Sequence, residues 1–265
     1  MEIIIPIKQV PETSNVKMDP ETGTMVRGGV ESIINPLDLY AIELGIQLVE
    51  ENGGSVKVIT MGPPSAEKAL REAIAMGCDD GVLISGREFA GADSWSTAYV
   101  LGSIIKELGD FDLVLTGERA TDGDTGQVGP GIASFLDIPL STYTSKILEV
   151  SDNSFIVERL VEEGYERLRL LRPSLLTVVK EISYPRLPTL RGKQKAKKMD
   201  VPIFSNENVE MDKDKLGLQG SPTRVVKIDR PKVARNAELI KANNQEKVEK
   251  AVAKLIGLLK EKEII

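Results

Sequence analysis

Apolar and polar positions follow two different rhythms along this chain, and the change falls near Pro139. Before it, short apolar runs alternate with helical patterns. Glu2–Ile7 is a β-rich run, the mark of a strand buried on both faces. Residues 13–34 are polar and turn-rich and read as an excursion over the surface. Leu37, Ala41, Leu44 and Leu48 then fall at +4, +7 and +11, on one face of a helix. Asn35-Pro36-Leu37-Asp38 opens that helix with Asn as N-cap and Pro at the first position, and Asn52-Gly53-Gly54 closes it. Ser55–Met61 is a second strand, followed by a helix over 66–76. Gly81–Ser85 is a third, followed by a helix with Ala98, Leu101 and Ile105 on one side. Asp112 to Thr116 is a fourth, and the apolar pattern Ile132 to Leu136 follows it. Strand and helix alternating in this way predict an α/β fold with a doubly wound, mostly parallel sheet. Ligands on such sheets sit beyond the carboxyl ends of the strands, here residues 7–8, 60–62, 85–94 and 116–125.

After Pro139 the helical period disappears. Residues 143–150, 153–162, 166–172 and 174–180 read as strands, with tight turns at Ser151-Asp152-Asn153 and Glu162-Glu163-Gly164, so an antiparallel meander is expected to join the sheet. Residues 185–245 carry prolines, lysines and polar residues with little apolar pattern. The basic run at 193–198 reads as a solvated arm, with an anion site as the alternative. Gln245–Lys262 is amphipathic, with Val248, Val252, Leu255, Ile256 and Leu259 on one face. An extended C-terminal arm ending in such a helix cannot bury that face alone; it folds back or lies on another protein. The expected division is an α/β domain over 1–184 and an arm over 185–265.

The stretch that organises the chemistry is Leu115–Pro130, LTGERATDGDTGQVGP. A strand runs into a polar loop with glycines at 117, 123, 126 and 129, and a helix follows. This is how a parallel α/β domain offers backbone N–H groups to a phosphate. No Gly-Lys-Ser/Thr follows, so it is not a Walker loop, and no strict GxGxxG is present. Asp122 and Asp124 lack the alternating carboxylates and closing Glu of an EF-hand, so no metal is expected. The competing reading is a solvated turn in which Asp124 or Thr125 caps the helix. Pro130 should kink a helix that starts near Thr125; alternatively the helix starts at Pro130 with Gly129 as its cap.

Composition narrows the chemistry. The chain has 265 residues, 41% of them hydrophobic, enough for one large domain or for one domain plus an appendage. A net charge of −6 gives no reason to expect nucleic acid. No apolar run is long enough to enter a membrane, and the first residues lack a basic leader. Cys78 is the single cysteine, which fits a reducing cytoplasm. Histidine is absent, which removes His-based triads and His-ligated zinc or haem. Any redox chemistry must then come from a bound organic cofactor.

Several motifs carry a resemblance over essentially the whole length. Val157-Glu158-Arg159, Glu162-Glu163-Gly164, Glu166, Leu168 and Pro173-Ser174-Leu175-Leu176-Thr177 sit at the spacing of a signature in the β subunits of electron-transfer flavoproteins. Asn35-Pro36-Leu37-Asp38 and the 117–128 loop resemble that family's nucleotide-binding elements, and Tyr184 to Leu190 its partner-recognition loop. The resemblance implies a heterodimer with an α subunit that holds one FAD. The β site holds AMP in one branch. In the electron-bifurcating branch it holds a second FAD that accepts a hydride from NADH; one electron goes to ferredoxin or flavodoxin, the other through the α-subunit FAD to a flavin-containing dehydrogenase. Asp93-Ser94-Trp95-Ser96-Thr97, the Gly-Asp-Thr form of the loop and Asn35–Ala41 resemble the bifurcating branch; Trp95-Ser96 is bulkier and more polar than that branch leads one to expect.

By that resemblance the cofactor-binding residues are Pro6, Asn35, Asp38, Met61, Asp93, Ser94, Thr97, Gly117, Glu118, Arg119, Ala120, Thr121, Asp122, Gly123, Asp124, Thr125, Gly126, Gln127 and Val128. Backbone N–H groups of 123–128 are expected on the phosphates, Asn35 and Asp38 at the adenosine end, and Pro6 and Met61 against the adenine. Asp93, Ser94 and Thr97 are expected on the flavin side, or as an ordinary helix cap and first turn. Arg119 either tunes a flavin's potential or pairs on the surface with Glu118 or an aspartate. Leu190 is expected to anchor the dehydrogenase from a mobile loop. An alternative from another class is a stand-alone nucleotide-binding regulator of the adenine-nucleotide α-hydrolase kind, against which the long arm argues.

Overall fold

A computed structural model describes residues 1–12, 32–226 and 239–264. The chain divides into two compact units, 1–226 and 227–265. The first therefore continues past residue 184, where the arm was expected to begin.

The strands are β1 (Glu2–Pro6), β2 (Gln9–Pro11), β3 (Ser32–Ile34), β4 (Ser55–Met61), β5 (Asp80–Ile84), β6 (Leu113–Gly117), β7 (Leu140–Val150), β8 (Ser154–Val161), β9 (Gly164–Leu171), β10 (Ser174–Val178) and β11 (Ile203–Phe204). The helices are α1 (Asp38–Asn52), α2 (Glu67–Met76), α3 (Ser94–Glu107), α4 (Val128–Leu136), α5 (Leu190–Lys198), α6 (Gly217–Gly220) and α7 (Gln245–Glu261). Nine strands form one sheet in the order β11-β5-β4-β1-β6-β10-β7-β8-β9. Its members from β11 to β7 run parallel, and β7-β8-β9 are antiparallel. The doubly wound, mostly parallel sheet expected from the alternating pattern is present.

Side-chain alternation along the central strands builds two cores. Ile3, Ile5, Val58, Leu83 and Leu115 pack with α1 and α2, while Ile4, Ile59, Val82, Ile84 and Val114 pack with α3 and α4. Burial on both faces is why these strands read as unbroken apolar runs.

The structure corrects the sequence reading at several places. Strand β10 does not close the meander. It lies between β6 and β7, parallel to both, and all five of its residues are buried. Its run Ser-Leu-Leu-Thr-Val lacks the polar alternation of a one-sided strand, and that was the available signal. At the last residues of the expected excursion, β3 pairs with β2, which lies just before it, as a small antiparallel sheet. The rest of the excursion, 13–31, lies outside the described residues.

The basic run is not a solvated arm. It forms most of α5, which Thr189 caps by accepting from Gly192 N at 2.9 Å. Ala196 is buried, and Lys195 Nζ donates to the Cys78 carbonyl at 3.1 Å. Gly192 lies so close to the Ala75 carbonyl that no side chain could fit there. Most of the helix's side chains are basic and solvent-facing, so its apolar pattern was too thin to read. In the second unit, Asn244 caps α7, and Val248, Val252, Leu255 and Ile256 remain half-exposed. Among the described residues no helix is long and apolar enough to cross a membrane.

Candidate functional site

Strand order reverses at β1. The chain leaves β1 for β4 and β5 on one side, then returns to β6 on the other. Such a switch point opens a crevice at the carboxyl ends of the two central strands. The 117–128 loop lies there, with Lys8 following β1.

Asn35 and Asp38 hold this loop from beneath. Asn35 Oδ1 accepts from Thr121 N at 3.1 Å, and its Nδ2 donates at 2.9 Å to both the Arg119 carbonyl and Asp38 Oδ1. Asp38 Oδ2 accepts from Lys8 N at 2.7 Å, and the carboxylate also accepts from the Gly117 backbone. Asn35 therefore does not cap α1. The helix begins at Asp38, and Leu37 precedes it without a side-chain cap. The asparagine is fully buried and committed to the neighbouring loop. Gly117 makes this contact possible, because a Cβ there would fall 2.6 Å from Asp38 Oδ1 and 2.8 Å from the Leu37 carbonyl.

Burial pushes the Asp38 carboxyl up from 3.8 to about 7, against the pull of Asn35, Lys8 and Gly117 as donors. The sign follows from linkage. A folded-state value above the unfolded one gives a contribution to stability that is complete below 3.8 and lost as pH rises through about 7. Melting temperatures of Asp38→Asn should therefore fall less than those of the native protein between about pH 4 and pH 7. Parallel curves for the two proteins would contradict this.

The rest of the loop is tied by its own charges. Lys8 Nζ reaches Asp122 Oδ1 at 2.7 Å. Arg119 Nε reaches Asp124 Oδ1 at 2.8 Å, and its Nη2 lies 3.7 Å from Glu118 Oε1. Arg119 is thus paired, with its side chain 45% exposed. Gly123 N and Asp124 N both donate to the Ala120 carbonyl. Asp124 and Gly126 adopt positive φ, 56° and 64°, so the backbone turns sharply before α4.

Helix α4 starts at Val128, after Gln127 and without a side-chain cap. Neither Asp124 nor Thr125 caps it, and neither expected start is observed. Pro130 sits in the first turn, where N–H groups have no intrahelical acceptor, so it neither kinks nor begins the helix. Among the described residues the N–H groups of Thr125, Gly126, Gln127 and Val128 find no acceptor. Unpaired donors at a helix N-terminus suit an anion, and a phosphate above all.

The start of α3 stands beside the loop. Ser94 Oγ donates to Gln127 Oε1 at 2.6 Å. Asp93 caps α3 by accepting from Trp95 N and Ser96 N, and its other oxygen accepts from Thr223 N and Oγ1. These bonds hold the Asp93 carboxyl below its usual range, although burial opposes them. Thr97 N donates to the Asp93 carbonyl in the first turn. Pro6, buried at the end of β1, and Met61, half-buried at the end of β4, complete the strand-end set. Leu190 stands apart, 83% exposed at the first position of α5 rather than on a loop.

Residues 7–8 were among the strand ends at which ligands are expected, but the pairing of Lys8 with Asp122 was not. Nothing in the pattern announced Thr223. Two shallow depressions, one lined by Pro130, Asp137 and Leu140 and another by Arg87, Asn206 and Leu218, lie outside this constellation. Among the described residues no cluster of acidic or thiol side chains could hold a metal.

A family model described as the electron transfer flavoprotein domain matches residues 22–208. This chain belongs to the electron transfer flavoprotein family. It is 47% identical to the electron transfer flavoprotein subunit beta of Thermoanaerobacterium thermosaccharolyticum, over 96% of this chain and 98% of that one. Identity to the caffeyl-CoA reductase-Etf complex subunit CarD of Acetobacterium woodii is 42%, over the full length of both chains. Identity to the acryloyl-CoA reductase electron transfer subunit gamma of Anaerotignum propionicum is 40%, over 97% and 98%. The role that follows is electron transfer as a β-type subunit of a redox complex, with an α subunit as partner.

Proposed function

We propose that this electron transfer flavoprotein subunit holds FAD at the switch-point crevice, and that its heterodimer oxidises NADH and bifurcates the electrons. One electron goes to ferredoxin or flavodoxin, and the other through the α-subunit FAD to a flavin-containing dehydrogenase, in the cytoplasm. The carrying observation is the set of N–H groups from Thr125 to Val128 that are unpaired among the described residues, on a loop bonded to Asn35 at the strand ends. Their charge and spacing suit a phosphate. Bound FAD supplies the hydride and one-electron chemistry.

The chain's own residues bind and orient. Asn35 and Asp38 hold the adenosine end indirectly, by fixing the loop behind it, since their polar atoms are bonded within the chain. Pro6 and Met61 wall the adenine. The Ser94–Gln127 bond joins α3 to the loop, so Asp93, Ser94 and Thr97 line the side on which a ring system extends. Arg119 keeps a cation beside the cradle. The C-terminal arm, with α7, packs on the α subunit, and Leu190 contacts the dehydrogenase.

AMP is the second reading, because the same N–H groups would serve its phosphate. The α3 flank, a further polar wall that AMP alone does not need, favours FAD. A coupled assay separates the two. Heterodimer, NADH, a dehydrogenase with its acceptor substrate, and ferredoxin should give ferredoxin reduction that stops when either NADH or acceptor is withheld. Electron flow to the dehydrogenase with no ferredoxin reduction under any condition would favour AMP.

A further inference from the structure

Between β10 and α5 the chain runs against α1, and Arg186 makes most of the polar contacts there. Arg186 Nε and the Arg186 backbone N–H donate to Glu43 Oε2 at 2.9 and 3.0 Å. Its Nη2 donates to Glu43 Oε1 at 3.1 Å and to Glu50 Oε2 at 2.9 Å, and its Nη1 to Glu50 Oε1 at 2.6 Å. Glu43 and Glu50 stand two turns apart on α1. The Glu43 side chain is only 4% exposed and also accepts from Gln47 Nε2. One turn earlier, Ser183 Oγ donates to the Tyr40 carbonyl at 3.0 Å. A forked guanidinium that satisfies a buried carboxylate and a second acid differs in kind from a screened surface pair.

The residues around it do the opposite. Tyr184, Leu187 and Leu190 are 94%, 84% and 83% exposed, although each is large and apolar. Pro185 and Pro188 stiffen the intervening backbone. The segment is thus held to α1 by the side chain of Arg186 and to the end of α2 by Thr189 N, which donates to the Ala75 carbonyl at 3.2 Å, while its apolar side chains stay in solvent. Ordering such a surface before contact removes an entropic cost from association.

We propose that Arg186 is a positioning residue: its clamp on Glu43 and Glu50 of α1 holds residues 184–190 so that Tyr184, Leu187 and Leu190 meet the electron-accepting dehydrogenase as one preformed surface. The proposal rests on the reading of Leu190 as a dehydrogenase contact, and names what presents it. Arg186 itself does not touch the dehydrogenase.

The test uses the α–β heterodimer carrying Arg186→Ala or Arg186→Lys. Lysine keeps the charge but cannot fork between two carboxylates. KM for the dehydrogenase should rise roughly tenfold in the alanine variant and less in the lysine variant, with kcat and the rate of flavin reduction by NADH unchanged. A folded Arg186→Lys heterodimer keeps the test decisive if Arg186→Ala, which strands a buried Glu43, does not fold. Native KM in the Arg186 variants overturns the clamp. Leu190→Ala, measured in parallel, tells why: a raised KM there limits the failure to Arg186, whereas a native KM there means that the segment does not dock the dehydrogenase at all. A fall in kcat and in flavin reduction alongside KM would also overturn the proposal, because it would mark a general structural loss.

Discussion

Replacing Gly117 with alanine is expected to empty the β site. The added Cβ would lie 2.6 Å from Asp38 Oδ1 and 2.8 Å from the Leu37 backbone, and the backbone on that side cannot yield as a flexible side chain would. The entry to α1 must move away from the end of β6. That movement breaks the bond from the Gly117 backbone to Asp38 and disturbs the Asn35 contacts that set the loop at Arg119 and Thr121. Overpacking of this kind costs about 1–3 kcal/mol in fold stability. The effect on binding should be larger, because the donors from Thr125 to Val128 are useful only while the loop keeps its shape. Purified heterodimer should lose its β-site nucleotide, read by extraction and chromatography, while the α-subunit FAD is retained. A variant with full nucleotide content and the native melting temperature would contradict this role for Gly117.

Arg119→Ala should slow NADH-driven flavin reduction about tenfold or more, the scale of losing one hydrogen bond to a charged group. Two effects combine. The cation beside the cradle disappears, and Asp124 loses the partner at 2.8 Å that steadies its positive-φ backbone. Lysine at this position should restore only part of the rate, since a point charge replaces a fork. Assembly with the α subunit should persist, because Arg119 is half-exposed and belongs to the loop rather than to either core. Stopped-flow flavin absorbance, with the flavin count confirmed for each variant, is the measurement. An unchanged rate with both flavins bound would remove Arg119 from the site.

The parallel sheet was legible because its strands are short apolar runs separated by amphipathic helices, and burial on both faces leaves little else for such runs to be. Ser55–Met61 has the same bounds in sequence and structure. Where one local signal competed with a distant partner, the reading failed. Asn35-Pro36 has the form of a helix start, yet the asparagine bonds across 84 and 86 residues to Arg119 and Thr121, and the helix starts later. Ser174–Val178 followed three meander strands in sequence, and only tertiary pairing sends it back between β6 and β7. Helix α5 escaped notice because Lys193 to Lys198 offers one buried alanine and a charged outer face. At the site, the loop, Asp93 as a helix cap and the approach of Gly117 were all within reach of glycine placement and capping chemistry. The Lys8–Asp122 pair was not, since 114 residues separate its members.

The most direct test counts cofactors on the co-purified α–β pair. Flavin absorbance together with chromatography of released nucleotides should give two FAD and no AMP for each heterodimer. One FAD with one AMP would contradict the central claim, and leave this chain as a carrier subunit whose crevice holds a nucleotide without a flavin ring.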